Sequence, residues 1–344
     1  MGKNDQEFKK FTTYTILLIL FLLLTACKSS DDESSSSTSS SGGASCSTAT
    51  DTICGQKNDL TNIPAAFKTA LTKYTTVNST YLVNVCTQDS DGDGSPNYMV
   101  VESSNRPEHK SVYWQATNAL HEAFDYATNL YKYATTKTAS GYTGTPASAG
   151  PNMILEQCIT MKMPISPEEA SSKTATSFST MGLALNGISF FNENAKPPDE
   201  ITDELFTFDQ CSGHPQNEGN YHYHVDPVCL IRDLGGAVVT KSTTVEGTTY
   251  SWIEDNGTNG GLLIGFLLDG FPVYGPVGDN HTTDNGSSTP SIDSYNGHSH
   301  VTTEFSSGIY HYHVKTGNIG GTSSNVFWIT NEKFYGNPGK IEVR

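Results

Sequence analysis

Hydrophobic and polar positions change their rhythm several times along the chain. Residues 16–24 are an unbroken apolar run, and residues 28–45 are mostly serine with an acidic patch at Asp31, Asp32 and Glu33. Helical spacing follows. Residues 63–74 predict one helix, and residues 110–135 predict a longer one, with Val112, Leu120, Phe124, Ala127, Leu130 and Tyr131 on one face. Between them, residues 81–87 and 98–103 alternate like two strands around a turn. Residues 134–150, rich in Thr, Ser, Gly and Ala without a period, predict a loop or internal linker. Glycine, serine, threonine and tyrosine dominate, rather than the leucine and alanine of helical proteins. The expected fold is mainly β, or α+β: an internally duplicated β-rich domain with one or two helices in its N-terminal third.

The apolar run begins after Lys3, Lys9 and Lys10 and ends in Leu24-Thr25-Ala26-Cys27. It is shorter than the roughly 20 residues of a lasting membrane span and reads as a signal peptide. Leu-Thr-Ala-Cys resembles the bacterial lipoprotein cleavage box, which implies that residues 1–27 are the signal segment and that Cys27 carries the lipid. An ordinary secretory signal with a chance cysteine is the alternative. Lys28 stands where an inner-membrane retention signal would place Asp, so the resemblance favours the outer membrane. Residues 28–53 then form a polar tether that cannot bury a core; its serine-rich 28–45 stretch reaches about 20–25 Å. The expected location is the bacterial cell envelope, facing periplasm or exterior, with the membrane as partner through the anchor.

Cysteine usage agrees with an oxidising compartment. Without Cys27 the set is Cys46, Cys54, Cys86, Cys158, Cys211 and Cys229, an even number. Cys211 and Cys229 bracket a histidine cluster and are the expected pair; distant partners for both are the alternative. A formal charge of −16 argues against a nucleic-acid partner, which needs a basic surface. Asp89, Asp91 and Asp93, with Gly94, occupy positions 1, 3, 5 and 6 of a Ca²⁺-loop pattern, but Val100 stands where position 12 requires glutamate. A hairpin turn rich in Asp and Gly explains the same letters, so structural calcium and a plain turn both remain open.

Beyond residue 150 an internal repeat appears. Its first copy carries Leu185-Asn186-Gly187, Asp209-Gln210-Cys211-Ser212-Gly213-His214 and Tyr221-His222-Tyr223-His224; its second carries Leu268-Asp269-Gly270, Asp293-Ser294-Tyr295-Asn296-Gly297-His298 and Tyr310-His311-Tyr312-His313. Domain boundaries follow: a helical and hairpin part over residues 54–150 and the duplicated part over 151–344. In a strand, His222 and His224 share one face, as do His311 and His313, and His214 or His298 supplies a third imidazole. Three neutral imidazoles with an open position suit zinc or copper. Histidines satisfied by backbone carbonyls in a half-buried strand are the bland alternative. His281 and His300 lack counterparts in the first copy and carry less weight. Asp209 and Asp293, five residues before the third histidine, are candidates to orient an imidazole or act as general base, or else to cap a turn. Asn186 and Asp269 are paired across the repeats inside a Leu-Asn-Gly or Leu-Asp-Gly turn, where a hairpin role is the first reading; only Asp269 could ionise, so if one copy is catalytic the second is favoured. Met161 and Met163 alternate on an expected strand and read as core residues.

The paired Tyr-His-Tyr-His motifs, Gly213-His214-Pro215 and the run from Leu268 to Pro276 resemble the YHYH family of bacterial secreted proteins. Ser104-Asn105-Arg106-Pro107-Glu108-His109 is similar to a Ser-Asn-x-Pro-x-His element of that domain, so the likeness spans about residues 80–335. It implies a secreted location more firmly than any reaction, and it raises His109 to an additional metal ligand. Two functions are therefore expected in competition. One is an envelope copper or zinc binder, or an enzyme using that metal. The other is a surface recognition or adhesion module whose histidines are structural.

Overall fold

The computed structural model describes residues 83–123, 152–199, 201–204, 207–245, 247–277, 283–284, 287–288, 292–319, 322–328 and 332–343, together with Ile63, Ala65, Phe67 and Lys68. The signal segment, Cys27 and the serine tether lie outside these residues, as does His281. The described chain is mainly β. Of the first expected helix, Ala65, Phe67 and Lys68 are helical, and Phe67 is buried against Phe266 and Phe305.

The second expected helix is not one over its described part. Residues 110–123 fold as successive turns, with the Ser111 amide donating to the Leu120 carbonyl (3.0 Å) and His121 bridging to Ser111. Val112, Tyr113 and Trp114 are consecutive and all buried, which one face of a helix cannot achieve. Side chains also take up the amides: Ser111 Oγ accepts from the Tyr113 N–H and Asn118 Oδ1 from Leu120, an alternative to helical bonding. Residues 124–135 lie outside the described residues.

The first sheet joins β1 (Val83–Gln88), β2 (Tyr98–Ser103) and β3 (Ile159–Pro164) to a C-terminal strand, Lys340–Val343, all antiparallel. The hairpin β1–β2 is the one expected from alternation. Its sheet is completed by strands from beyond residue 150, and Met99, Met161 and Met163 are fully buried on it.

The second sheet contains the repeat. Copy one supplies β4 (Gly182–Ala184), β5 (Ser189–Phe190), β6 (Gly213–Pro215) and β7 (Tyr221–Tyr223), with helices α1 (Ile201–Glu204) and α2 (Val228–Asp233) around them. A separate hairpin, β8 (Val238–Val245) with β9 (Thr248–Asp255), follows. Copy two supplies β10 (Leu263–Leu267), β11 (Pro272–Val277), β14 (Gly297–His300) and β15 (Ile309–Ile319), after the two-residue strands β12 (Thr283–Asp284) and β13 (Ser287–Ser288). A last strand, β16 (Thr322–Trp328), pairs with β15.

Strand order across the sheet is β14-β15-β11-β10-β4-β5-β7-β6. Read from its middle, the order is the same in both directions: hairpin β4–β5 corresponds to β10–β11, parallel pair β5–β7 to β11–β15, and hairpin β6–β7 to β14–β15. The copies meet where β4 pairs antiparallel with β10, Leu183 opposite Phe266. Duplication in sequence is thus pseudo-twofold symmetry in the sheet. It places the two histidine hairpins at opposite ends, six strand spacings apart, or about 25–30 Å.

Candidate metal centres

Each histidine hairpin obeys one construction. On β6–β7, His214 lies opposite His222 and Gly213 opposite Tyr223; on β14–β15, His298 lies opposite His311 and Gly297 opposite Tyr312. The glycine is required by the tyrosine face. A Cβ on Gly213 would stand 2.6 Å from the Tyr221 ring, and one on Gly297 would stand 2.3 Å from the Tyr310 hydroxyl. The first tyrosine therefore crosses over the glycine and reaches the aspartate: Tyr221 Oη donates to Asp209 Oδ1 (2.9 Å) and Tyr310 Oη to Asp293 Oδ1 (3.1 Å). The second tyrosine meets the β-turn residue, Tyr223 accepting from the Asn186 amide and Tyr312 donating to Asp269.

On the opposite strand face the imidazoles of copy one converge. His214 Nε2 and His222 Nε2 are 3.0 Å apart, and His222 Nε2 and His224 Nε2 are also 3.0 Å apart. Their outer nitrogens are all committed. His222 donates Nδ1–H to the Asn220 carbonyl (3.0 Å), and His224 donates Nδ1–H to the Asn192 carbonyl. Thr207 gives its only hydroxyl proton to the Glu204 carbonyl (2.7 Å), so it accepts from His214 Nδ1–H (2.6 Å). A neutral imidazole with its proton on Nδ1 presents a bare lone pair at Nε2. Hence three lone pairs point at one another. The Glu204 carboxylate joins them, its Oε2 3.3 Å from His224 Nε2 and 3.8 Å from His214 Nε2. The three imidazoles hold their nitrogens within 4.8 Å of one another, with the carboxylate at their edge.

Burial keeps His214 and His222 neutral. Desolvation, reinforced by the neighbouring imidazole of His224, pushes the His214 pKa down to about 3. Desolvation and the flanking His214 and His224 hold His222 well below the ordinary range. Phe191 stacks on His222 with ring centroids 3.9 Å apart, and Phe208 meets His214 edge-on, so the imidazoles are held from both sides.

Copy two builds a related cluster in which a further histidine, His300, takes part. His311 donates Nδ1–H to the Ile309 carbonyl (3.0 Å) and His313 to the Gly275 carbonyl (3.2 Å), the counterparts of Asn220 and Asn192. His298 Nε2 lies 3.0 Å from His313 Nε2 and 3.2 Å from His300 Nε2. His298, His300 and His311 hold their nitrogens within 4.8 Å of one another. His300 thus joins the cluster despite having no histidine counterpart in copy one.

The three candidate aspartates sit on the tyrosine face, away from the imidazoles. Asp209 and Asp293 build the same turn: each carboxylate accepts amides two and four residues on, from Cys211 and Gly213 and from Tyr295 and Gly297. Asp269 accepts from the amides of Phe271 and Gly336, and burial raises its pKa to about 6. These are turn-capping roles. His109 is likewise outside the imidazole cluster. Its Nε2 lies 3.1 Å from Asp209 Oδ2, an oxygen that also accepts from Ser111 (2.7 Å). Burial alone would lower the His109 pKa, but the charge and hydrogen bond of Asp209, with Glu108 and Glu122 nearby, raise it.

Glu204 was not identified from sequence, because it lies ten residues before His214 in a short helix with no repeat counterpart. Cys211 and Cys229 are joined as a disulfide, tying the turn before β6 to α2. Cys86 and Cys158 are each in a disulfide as well. At the acidic loop, Asp89 accepts from the amides of Gly92 (2.7 Å) and Gly94 (2.8 Å), and Asp93 from Ser95 (2.7 Å), the bonding of the β1–β2 turn.

The sequence model of the YHYH protein family matches residues 160–295, which take in the whole of the first cluster and end before the second tetrapeptide. No curated protein and no solved structure matches the chain. Residues 160–295, with the first Tyr-His-Tyr-His hairpin near their centre, are thus similar to the YHYH protein family.

Proposed function

We propose that this chain is a lipid-anchored envelope protein that binds one transition-metal ion, copper or zinc, at each histidine cluster. The observation that carries this reading is the tautomer set of copy one. His214, His222 and His224 each spend their only ring proton outward, on Thr207, Asn220 and Asn192, and bring bare Nε2 lone pairs within 3.0 Å of the next. Facing lone pairs repel, and a carboxylate beside them adds to the repulsion. A cation at their common point removes it. Backbone and hydroxyl acceptors on the outer nitrogen are also what orients metal-binding histidines and makes them better donors. The purified domain, prepared without a polyhistidine tag, is expected to hold two equivalents of Cu²⁺ or Zn²⁺ by elemental analysis. His222→Ala with His224→Ala should remove one equivalent, and His311→Ala with His313→Ala the other, each with an affinity loss beyond about 100-fold, the upper range for a merely supporting residue. A metal-free wild-type domain would leave the histidines structural and favour the recognition module.

A further inference from the structure

The two clusters differ at one repeat-equivalent position. Counting from the third histidine, His214 in copy one and His298 in copy two, the second residue onward is Gln216 and His300 respectively. His300 turns its Nε2 to within 3.2 Å of His298 Nε2 and forms a close group with His298 and His311. Gln216 instead lines a cavity of about 570 Å³, whose floor is His214, His222 and His224. That size falls in the range of small-molecule sites.

We infer that the first cluster, resting on the metal-binding reading above, keeps a coordination position open to this cavity for an exogenous oxygen or nitrogen donor, while His300 closes the second. His214, His222 and His224 line the cavity, and three imidazoles leave an ion at least one further position. In copy two an imidazole, that of His300, stands where Gln216 lines the cavity in copy one.

The walls define what enters. Asn194 and Asn217 offer amides, Phe178 is 47 % exposed at the edge, and Asp199 and Glu218 outnumber Lys196. A small neutral or singly charged molecule bearing hydroxyl or amide groups fits this lining. A polyanion meets like charge.

The test uses azide as probe on the domain loaded with two equivalents of Cu²⁺, following the azide-to-copper charge-transfer absorption. One azide should bind for every two copper ions. Gln216→His should abolish that band without losing copper, and His300→Gln should raise the count to two. Both positions are partly exposed, so both variants keep the core intact. If two copper ions bind and no azide does, or if both sites take azide in the wild type, the inference is wrong while metal binding stands. If copper itself does not bind, the earlier reading fails first.

Discussion

The two histidine hairpins share strand pairing, glycine, tyrosines and turn aspartate, yet they sit in different surroundings. Asp209 is fully buried and accepts from His109, Ser111 and Tyr221, whereas its counterpart Asp293 is exposed and accepts from Tyr310 and turn amides. Copy one is pinned by a disulfide at Cys211; copy two has Tyr295 at that position, packed near Tyr335. A carboxylate flanks the first cluster, and a further imidazole joins the second. Duplication has preserved what the backbone needs to present two imidazoles opposite a third. It has let the environment of that unit diverge.

The largest expected break in the comparison is at the turn aspartate. Asp209→Ala leaves the His109 imidazole and two hydroxyls without their carboxylate partner and should cost about 3–5 kcal/mol, the range for removing one partner of a buried pair. Asp293→Ala should cost only about 0.5–1.5 kcal/mol, that of ordinary hydrogen bonds. Urea titration of both variants measures the difference, and equal losses would mean that the two turns are energetically alike.

Next comes the disulfide. Replacing Cys211 and Cys229, 18 residues apart, by alanine should lower stability by about 3 kcal/mol through the freed unfolded chain. Tyr295→Ala, at the equivalent position, should cost less. Calorimetric melting of the two variants ranks them, and the reverse order would refute the assignment of extra rigidity to copy one.

Smaller effects should be shared by both copies. Gly213→Ala and Gly297→Ala each push a Cβ into the first tyrosine of the motif and should cost about 1–3 kcal/mol of overpacking. Pairing either change with Tyr→Phe at position 221 or 310 tests the cause for Gly297 in particular, since there the nearest atom is the hydroxyl. No recovery in Gly297→Ala with Tyr310→Phe would place the strain elsewhere.

The smallest effect is on pH. In the metal-free protein the folded-state pKa values of His214 and His222 lie below the ordinary 6.5, so the unfolded chain binds more protons as pH falls below that value. Stability should therefore drop on acidification, by about 0.7 kcal/mol per histidine between pH 7 and 6. Metal should offset the loss near neutrality and be released as protons compete for the same nitrogens. Flat stability of the metal-free domain between pH 7 and 6 would contradict neutral burial of these imidazoles.

Local pattern determined a good deal of this protein. Strand alternation placed His222 with His224 and His311 with His313 on one face, and the repeat identified His214 and His298 as the third member, because a β-strand's period of two follows from backbone geometry alone. Alternation also located β1 and β2, and the bracketing of a histidine cluster identified Cys211 with Cys229. Tertiary structure decided the rest. Only pairing of β4 with β10 makes the copies mirror each other and separates the clusters into two sites. Only the packing of α1 brings Glu204 to the first cluster, and only the course of β14 turns His300 into the second. The aspartates were legible as turn residues or acids alike until the strand faces were known, and that face put them with tyrosine hydroxyls rather than imidazoles. Residues 110–123 show the same limit from the other side: helical spacing was present, but the burial of Val112, Tyr113 and Trp114 in a row required turns. Which neighbour a side chain meets across the fold depends on contacts between distant segments, and no local period encodes those.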